Sequence, residues 1–143
     1  MKKVLVNLLL AACSMSMFAD HHNGEMKASP SAPNSAAYII SPKDGDTVSK
    51  TFTVRFGLKG MGVAPAGVKR KHTGHHHLLV DFAQLPPLDK PLGGDVKHFG
   101  SGQTEVSVTL EPGTHTLQLI LGDHLHRPHS PAVVSEKITI TVE

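Results

Sequence analysis

The chain has 143 residues, including 11 histidines, one cysteine and no tryptophan, and its formal net charge at pH 7 is +2. Loss of the first 19 residues would bring that charge to 0, because this segment carries two lysines and none of the 12 acidic residues. A neutral domain lacks the basic surface that nucleic-acid binding requires, so we expect no nucleic-acid partner.

Residues 1–19 have the pattern of a bacterial export signal. A positively charged head, "MKK", precedes the apolar stretch "VLVNLLLAA", and this order is typical of signal peptides. The apolar stretch is too short to cross a bilayer permanently, so we expect no transmembrane span. The pattern predicts an exported, periplasmic protein.

The signal has two candidate processing sites. Cleavage after Ala19, which we favour, gives a signal of ordinary length and a mature chain without cysteine. The alternative is the stretch "LAAC", which matches the lipobox of bacterial lipoproteins and would place a lipid anchor on Cys13. With Cys13 removed, disulfides and thiolate metal sites are impossible.

A flexible linker is predicted over residues 20–37 and a single folded domain over residues 38–143. The linker is rich in Ser, Pro, Ala and Asn, which bury too little apolar surface to fold. The domain consists of short segments rich in Val, Ile, Thr and Leu, separated by turn-forming residues. These segments are Tyr38 to Ile40, Phe52 to Leu58, His76 to Phe82, Glu105 to Leu110, His115 to Leu121 and Val133 to Val142.

Several of these segments alternate between apolar and polar residues. In "KITITV", for example, Ile138, Ile140 and Val142 point to one side and the threonines to the other. This period of two indicates strands with one buried face. With no helical pattern after the signal, we predict an all-β fold, an immunoglobulin-like antiparallel β-sandwich of six to seven strands.

A chain of motifs resembles a known family. The stretches "ISPKDGDTV", "TGHHHLLVD", "HFGSGQTE" and "PGTHTLQLILGDHLHRPHSP" are similar to an uncharacterised family of exported bacterial domains, domain of unknown function 4399. The resemblance implies an exported, compact, all-β domain without an established biochemical role. The basic triplet Lys69-Arg70-Lys71 departs from the family's usual pattern.

Histidines beside the third segment are the strongest candidates for a metal site. In a strand, alternate residues share a face, so Leu78, Val80 and Phe82 define the core side and His75 and His77 project together from the outer, solvent-facing side. Two such parallel side chains can chelate one ion, and imidazole is the commonest metal ligand.

The loop "GDHLHRPHSP" offers further ligands, and His98 is another candidate. Nitrogen donors with one carboxylate suit Cu or Zn better than Ca or Mg, which prefer oxygen. The basic triplet counts against a cation site, because nearby positive charges oppose it. The predicted metal ligands are His75, His77, His98, Asp123, His124, His126 and His129.

Two other histidines fall on the core side of their strands. His76 lies between His75 and His77, and His115 shares a side with Leu117 and Leu119. We interpret both as a buried polar pair at the rim of the core, hydrogen-bonded to a backbone carbonyl or a Thr hydroxyl, rather than as ligands.

A separate copper site is possible at the mature N-terminus. If cleavage follows Ala19, the chain begins Asp20-His21-His22. A free amine with a histidine at the third position can surround Cu(II) in the plane that this ion prefers. Acylation of Cys13 would leave Asp20 without a free amine and would prevent this site.

No enzyme signature is present in the sequence. It lacks a GxSxG nucleophile elbow and a phosphate loop, and its acidic residues are scattered. We therefore expect a binding protein that holds Cu or Zn for storage, delivery or sensing. The alternative is an interaction module that binds an envelope protein or a cell-wall partner without metal.

Overall fold

The computed structural model describes residues 27–143, and this part of the chain contains nine β-strands and no helix. Six strands have five or more residues, in agreement with the predicted number. The strands are β1 (Ala36–Ser41), β2 (Thr47–Val48), β3 (Thr51–Lys59), β4 (Gly62–Val63), β5 (Thr73–Val80), β6 (Lys97–His98), β7 (Glu105–Thr109), β8 (Gly113–Gly122) and β9 (Ile138–Val142).

The predicted export signal and the predicted copper ligands Asp20, His21 and His22 lie outside the described residues. Within the described part, no helix has the length and hydrophobicity needed to cross a membrane.

The strands form two sheets that face each other. One sheet has the order β1-β3-β7, and the other has the order β2-β9-β8-β5-β4, with β6 also paired to β5. The six longer strands pair antiparallel, whereas the short β2 and β4 pair parallel to β9 and β5. This arrangement matches the two sheets of an immunoglobulin-type sandwich, so the predicted fold class is confirmed.

The core lies between the sheets. β3 contributes Val54 and Phe56, and β8 contributes Leu117, Leu119 and Leu121, all of them buried. The period-two alternation of β3, β8 and β9 places these apolar side chains on one face of each strand. Burial of the two facing apolar surfaces provides the main stabilisation of the domain.

The last strand is shorter than the predicted segment Val133 to Val142. Ser135 is buried, and its hydroxyl accepts a hydrogen bond from Leu119 N at 2.8 Å, while Ser135 N donates to Leu119 O at 2.9 Å. The Ser135 hydroxyl oxygen is therefore the hydrogen-bond partner of Leu119 N in place of a backbone carbonyl oxygen. Regular pairing with β8 begins only at Ile138, where β9 starts.

Asp81 follows the last residue of β5, Val80, so the strand ends two residues before the predicted end of the segment. The backbone of Asp81 has a φ of 60°, and its carboxylate accepts hydrogen bonds from Thr116 N at 2.8 Å and from the His115 ring at 2.7 Å. The change of backbone direction also turns Phe82 away from the core. Phe82 packs instead against a second apolar cluster on the outer face of the sheet, so its predicted place on the core side was wrong.

Part of the segment predicted as a linker lies along the folded domain. Pro30 forms a bridge with Ser130, and Ser31 N donates to Ser130 O at 3.2 Å. The Ser29 hydroxyl donates to the Asp123 carboxylate at 2.7 Å. Residues 29–31 therefore lie next to the histidine-rich loop.

Replacement of a central core residue should destabilise the domain. Leu119→Ala removes a side chain with no exposed surface and should lower the free energy of unfolding by about 2–5 kcal/mol. The matched control Leu85→Ala changes a side chain that is 38% exposed and should alter it by only about 0.5 kcal/mol. Chemical denaturation of both variants measures these changes, and equal losses would contradict the assigned core.

Candidate metal site

β5 is buried on both faces. His76 and Leu78 point into the core, whereas His75, His77 and Leu79 point to the opposite side of the sheet. A second apolar cluster of Leu79, Val96 and Ile120 covers this opposite side. The segment between β5 and β7 thus folds back over the sheet and encloses side chains that alternation alone would expose.

His75 and His77 are therefore not solvent-facing, and this part of the prediction was wrong. Their exposed fractions are 0% and 1%. The cause is the covering segment, in which β6 pairs with β5 so that His98 lies opposite His77. The faces assigned to His75, His76 and His77 were correct, but the degree of burial was not.

Four histidine rings form a cluster on the outer side of β5. The ring centroid of His75 lies 4.7 Å from that of His77, 4.9 Å from that of His98 and 5.0 Å from that of His126. The rings of His98 and His126 are 4.6 Å apart, and their Nε2 atoms are separated by 3.1 Å. We call these four residues the histidine cluster.

Three members of the cluster lie close enough together to hold one metal ion. One ring nitrogen from each of His75, His98 and His126 lies within 4.8 Å of the other two. In a tetrahedral site with zinc–nitrogen distances of about 2.0–2.1 Å, the ligand atoms are separated by roughly 3.3 Å. To bind one ion, the three nitrogens would have to approach this separation by rotation of the side chains.

His77 closes the cluster from the inner side. Its ring centroid lies 5.1 Å from that of His98 and 6.1 Å from that of His126. A Cβ at Gly122 would lie 2.6 Å from Cε1 of His77. A side chain at position 122 would displace this ring. We therefore infer that glycine is needed at position 122 to leave room for the His77 ring.

Asp123 fixes the loop that carries His126. One carboxylate oxygen accepts hydrogen bonds from Leu125 N at 2.9 Å and Arg127 N at 3.0 Å, and the other accepts them from the hydroxyl and the amide of Ser29. Burial raises the Asp123 pKa, but these hydrogen bonds outweigh that effect and lower it overall. His126, with a φ of 64°, is held at the tip of this tight turn.

The structure does not bring Asp123, His124 and His129 into the histidine cluster. One carboxylate oxygen of Asp123 is occupied by the turn and the other by Ser29, and the His124 ring lies 3.9 Å from the second one. The buried His129 has one ring nitrogen 3.1 Å from Thr73 O and the other 3.4 Å from Leu121 O. His129 thus joins the β8–β9 connection to β5 and β8.

The buried rings of the cluster are uncharged at neutral pH. Burial, followed by repulsion from His98 and His126, lowers the pKa of His75 to about 4. Burial, followed by repulsion from His75, His98 and His126, lowers the pKa of His77 to about 3. Neutral imidazoles have a free lone pair, which is the form that binds metal ions.

The histidine cluster also contains buried ring nitrogens that have no hydrogen-bond partner. Among the described residues, both ring nitrogens of His75 and Nδ1 of His77 are buried without a hydrogen-bond partner. Such atoms normally find a partner in a folded protein, and leaving one without a partner costs about 1–3 kcal/mol. A bound cation would satisfy nitrogens that the protein leaves unpaired.

His76 and His115 do not form the predicted pair. His76 packs against Phe56 with ring centroids 5.1 Å apart, and within residues 27–143 neither of its ring nitrogens has a hydrogen-bond partner. His115 lies at the opposite end of the sheet, where its ring bonds to Asp81 and to Glu111 O. The bond to Asp81 is the main reason that the His115 pKa is raised.

Comparison with known proteins identifies a family and a structural neighbour. The sequence model of the family "Domain of unknown function (DUF4399)" matches residues 54–143. No curated protein sequence matches this chain. Among solved structures, the chain is similar to the fibronectin(III)-like modules of Clostridium thermocellum CbhA, with 12% identity and a TM-score of 0.37 over 74% of this chain and 92% of that one.

His76→Leu should stabilise the domain. Burial lowers the pKa of His76 from 6.5 to about 4, so protonation favours the unfolded chain and the stability falls as the pH decreases from 6.5 towards 4. Leucine fills similar space without unpaired nitrogens, so the free energy of unfolding at pH 6 should rise by about 1 kcal/mol.

Chemical denaturation between pH 7 and pH 4.5 measures both effects. The variant should lose less stability on acidification than the parent, although His75 and His77 still contribute to that loss. A variant that is less stable at every pH would show that the His76 ring makes a stabilising interaction.

Proposed function

This chain belongs to the DUF4399 family of domains of unknown function, and we propose that it is an exported protein that binds Cu or Zn through the histidine cluster. The observation that carries this proposal is the convergence of His75, His98 and His126, whose ring nitrogens lie within 4.8 Å of one another. These residues come from three separate segments of the chain, so the site forms only on folding.

The donor set favours a transition metal. The cluster offers only imidazole nitrogens, because the carboxylate of Asp123 is occupied by its own turn and by Ser29. Calcium and magnesium prefer oxygen ligands, whereas imidazole suits Zn and Cu(II). His77 lies outside this converging group and would need a side-chain rotation to act as a fourth donor, but its Nδ1 has no partner within the described residues.

The position of the cluster suits reversible binding. His75 and His77 form the buried side, whereas His98 is exposed and His126 is partly exposed. An ion can thus reach the cluster from the side of His98 and His126 without opening the sandwich. This access supports storage, delivery or sensing of the metal rather than a purely structural role.

The basic triplet does not prevent this site. Lys69, Arg70 and Lys71 are exposed and lie in the loop before β5, where water and salt screen their repulsion. Because the buried His75 and His77 have pKa values of about 4 and about 3, an incoming cation meets no buried positive group in the cluster at neutral pH.

Export is the second element of the proposal. The signal pattern of residues 1–19 supports a periplasmic location, with a lipid anchor on Cys13 as the alternative outcome of processing. In the periplasm, a metal site made only of imidazoles cannot lose its ligands to disulfide formation, as a site made of thiolates can. A domain that uses only histidines therefore suits an oxidising compartment.

The metal proposal predicts a ligand-dependent rise in thermal stability. One equivalent of Zn or Cu(II) should bind, and a free metal concentration of 100 times Kd should stabilise the folded state by about 2.7 kcal/mol. His98→Ala with His126→Ala should abolish this rise. These two residues are chosen because they are at least partly exposed, so their loss should leave the metal-free domain folded.

A matched control is His72→Ala with His124→Ala, which removes two partly exposed histidines outside the cluster. Calorimetric titration and thermal unfolding of the exported chain should show full metal binding for this control. A copper site at Asp20, His21 and His22 would add one equivalent of bound Cu(II) to every variant. The difference in metal binding between the variants would stay the same. An equal response from both double variants would overturn the assignment.

A further inference from the structure

A basic pocket lies beside the loop that precedes β5, and it is distinct from the histidine cluster. Its volume is about 400 Å³, and its lining includes Lys69, Arg70, Lys71, His72, His124 and Ser29. We propose that this pocket binds a phosphate group, supplied either by a small soluble phosphate or by an anionic phospholipid headgroup.

The charges that line the pocket are uncompensated. Within residues 27–143, none of Lys69, Arg70 and Lys71 forms an ion pair, and no acidic residue lines the pocket. The neighbouring Asp123 is only 2% exposed, and its carboxylate is bonded to its own turn and to Ser29. Three cations around one concavity create a positive potential that attracts a multiply charged anion.

The loop is held in place rather than free to spread its charges. Gly67 N donates to His124 O at 2.9 Å, and the Thr73 hydroxyl donates to Arg70 O at 2.9 Å. In addition, Gly62 N donates to His72 O at 2.9 Å. These bonds fix the backbone at both ends of the basic triplet, so little backbone conformational entropy would be lost when an anion binds.

The side chains suit a phosphate group. The guanidinium of Arg70 can donate two parallel hydrogen bonds to a phosphate, and the ammonium groups of Lys69 and Lys71 can approach its remaining oxygens. Val68, which is 47% exposed, also lines the pocket, and Leu125, which is 39% exposed, follows the lining residue His124 in the chain. Apolar side chains beside a basic cluster are also found where proteins contact anionic membranes.

The test uses the full exported chain with a chelator present, so that metal does not contribute. Sodium phosphate and glycerol phosphate are titrated at constant ionic strength while NMR follows the signals of His72 and His124. In parallel, co-sedimentation measures binding to vesicles of phosphatidylcholine with or without phosphatidylglycerol. Comparison of the two vesicle types removes any contribution from a lipid on Cys13.

Lys69→Gln, Arg70→Gln and Lys71→Gln together should weaken binding at least about tenfold, because each cation near an anionic surface contributes to affinity. The matched control Lys43→Gln, Lys59→Gln and Lys90→Gln removes the same charge from exposed positions outside the pocket. The single variant Arg70→Gln provides the same test with a smaller change. All variants should bind metal as the parent does.

The two sources of phosphate give different results. Saturable shifts with soluble phosphate would identify a small ligand, whereas binding only to phosphatidylglycerol vesicles would identify a headgroup site. No binding in either experiment, or equal losses in the pocket variant and its control, would overturn the proposal. Neither result would affect the metal site, which uses different residues.

Discussion

Burial of β5 on both faces is the constraint on which the candidate site depends. The inner face of the strand completes the sandwich core through Leu78, while the segment between β5 and β7 covers the outer face. Because both faces are enclosed, His75 and His77 cannot reach bulk water. The covering segment also places His98 beside His77 through the pairing of β6 with β5.

This enclosure costs stability that a bound metal would recover. Buried imidazoles without hydrogen-bond partners are unfavourable, and their lowered pKa values show that the charged form is excluded. The Asp123 carboxylate accepts hydrogen bonds that hold the turn of His126 and does not contribute to the cluster. The protein therefore orders a set of neutral donors, which is the requirement for binding a transition-metal ion.

Much of the fold could be predicted from the sequence. Period-two alternation identified the central parts of β3, β5, β8 and β9, since each has an apolar face in the core. The end of β5 could not be predicted, because it depends on the positive φ of Asp81 and on hydrogen bonds to residues more than 30 positions away. The shortened β9 has a similar origin in the long-range bonds of Ser135.

The candidate site could be predicted only in part. Alternation placed His75 and His77 together, and the density of histidines pointed to the loop after β8. The sequence pattern could not show that His126 reaches the cluster whereas His124 and His129 do not. That difference arises from the turn geometry around Asp123. The burial of His75 depends on a covering segment without regular periodicity, so no local pattern revealed it.

The most direct measurement of the central claim is X-ray absorption at the Zn edge of the zinc-loaded exported chain. A shell of three or four imidazole nitrogens at about 2.0–2.1 Å is expected around the zinc ion. His98→Ala with His126→Ala should remove this imidazole shell. A shell composed only of oxygen, or an imidazole shell unchanged in the double variant, would contradict the histidine cluster as the metal site.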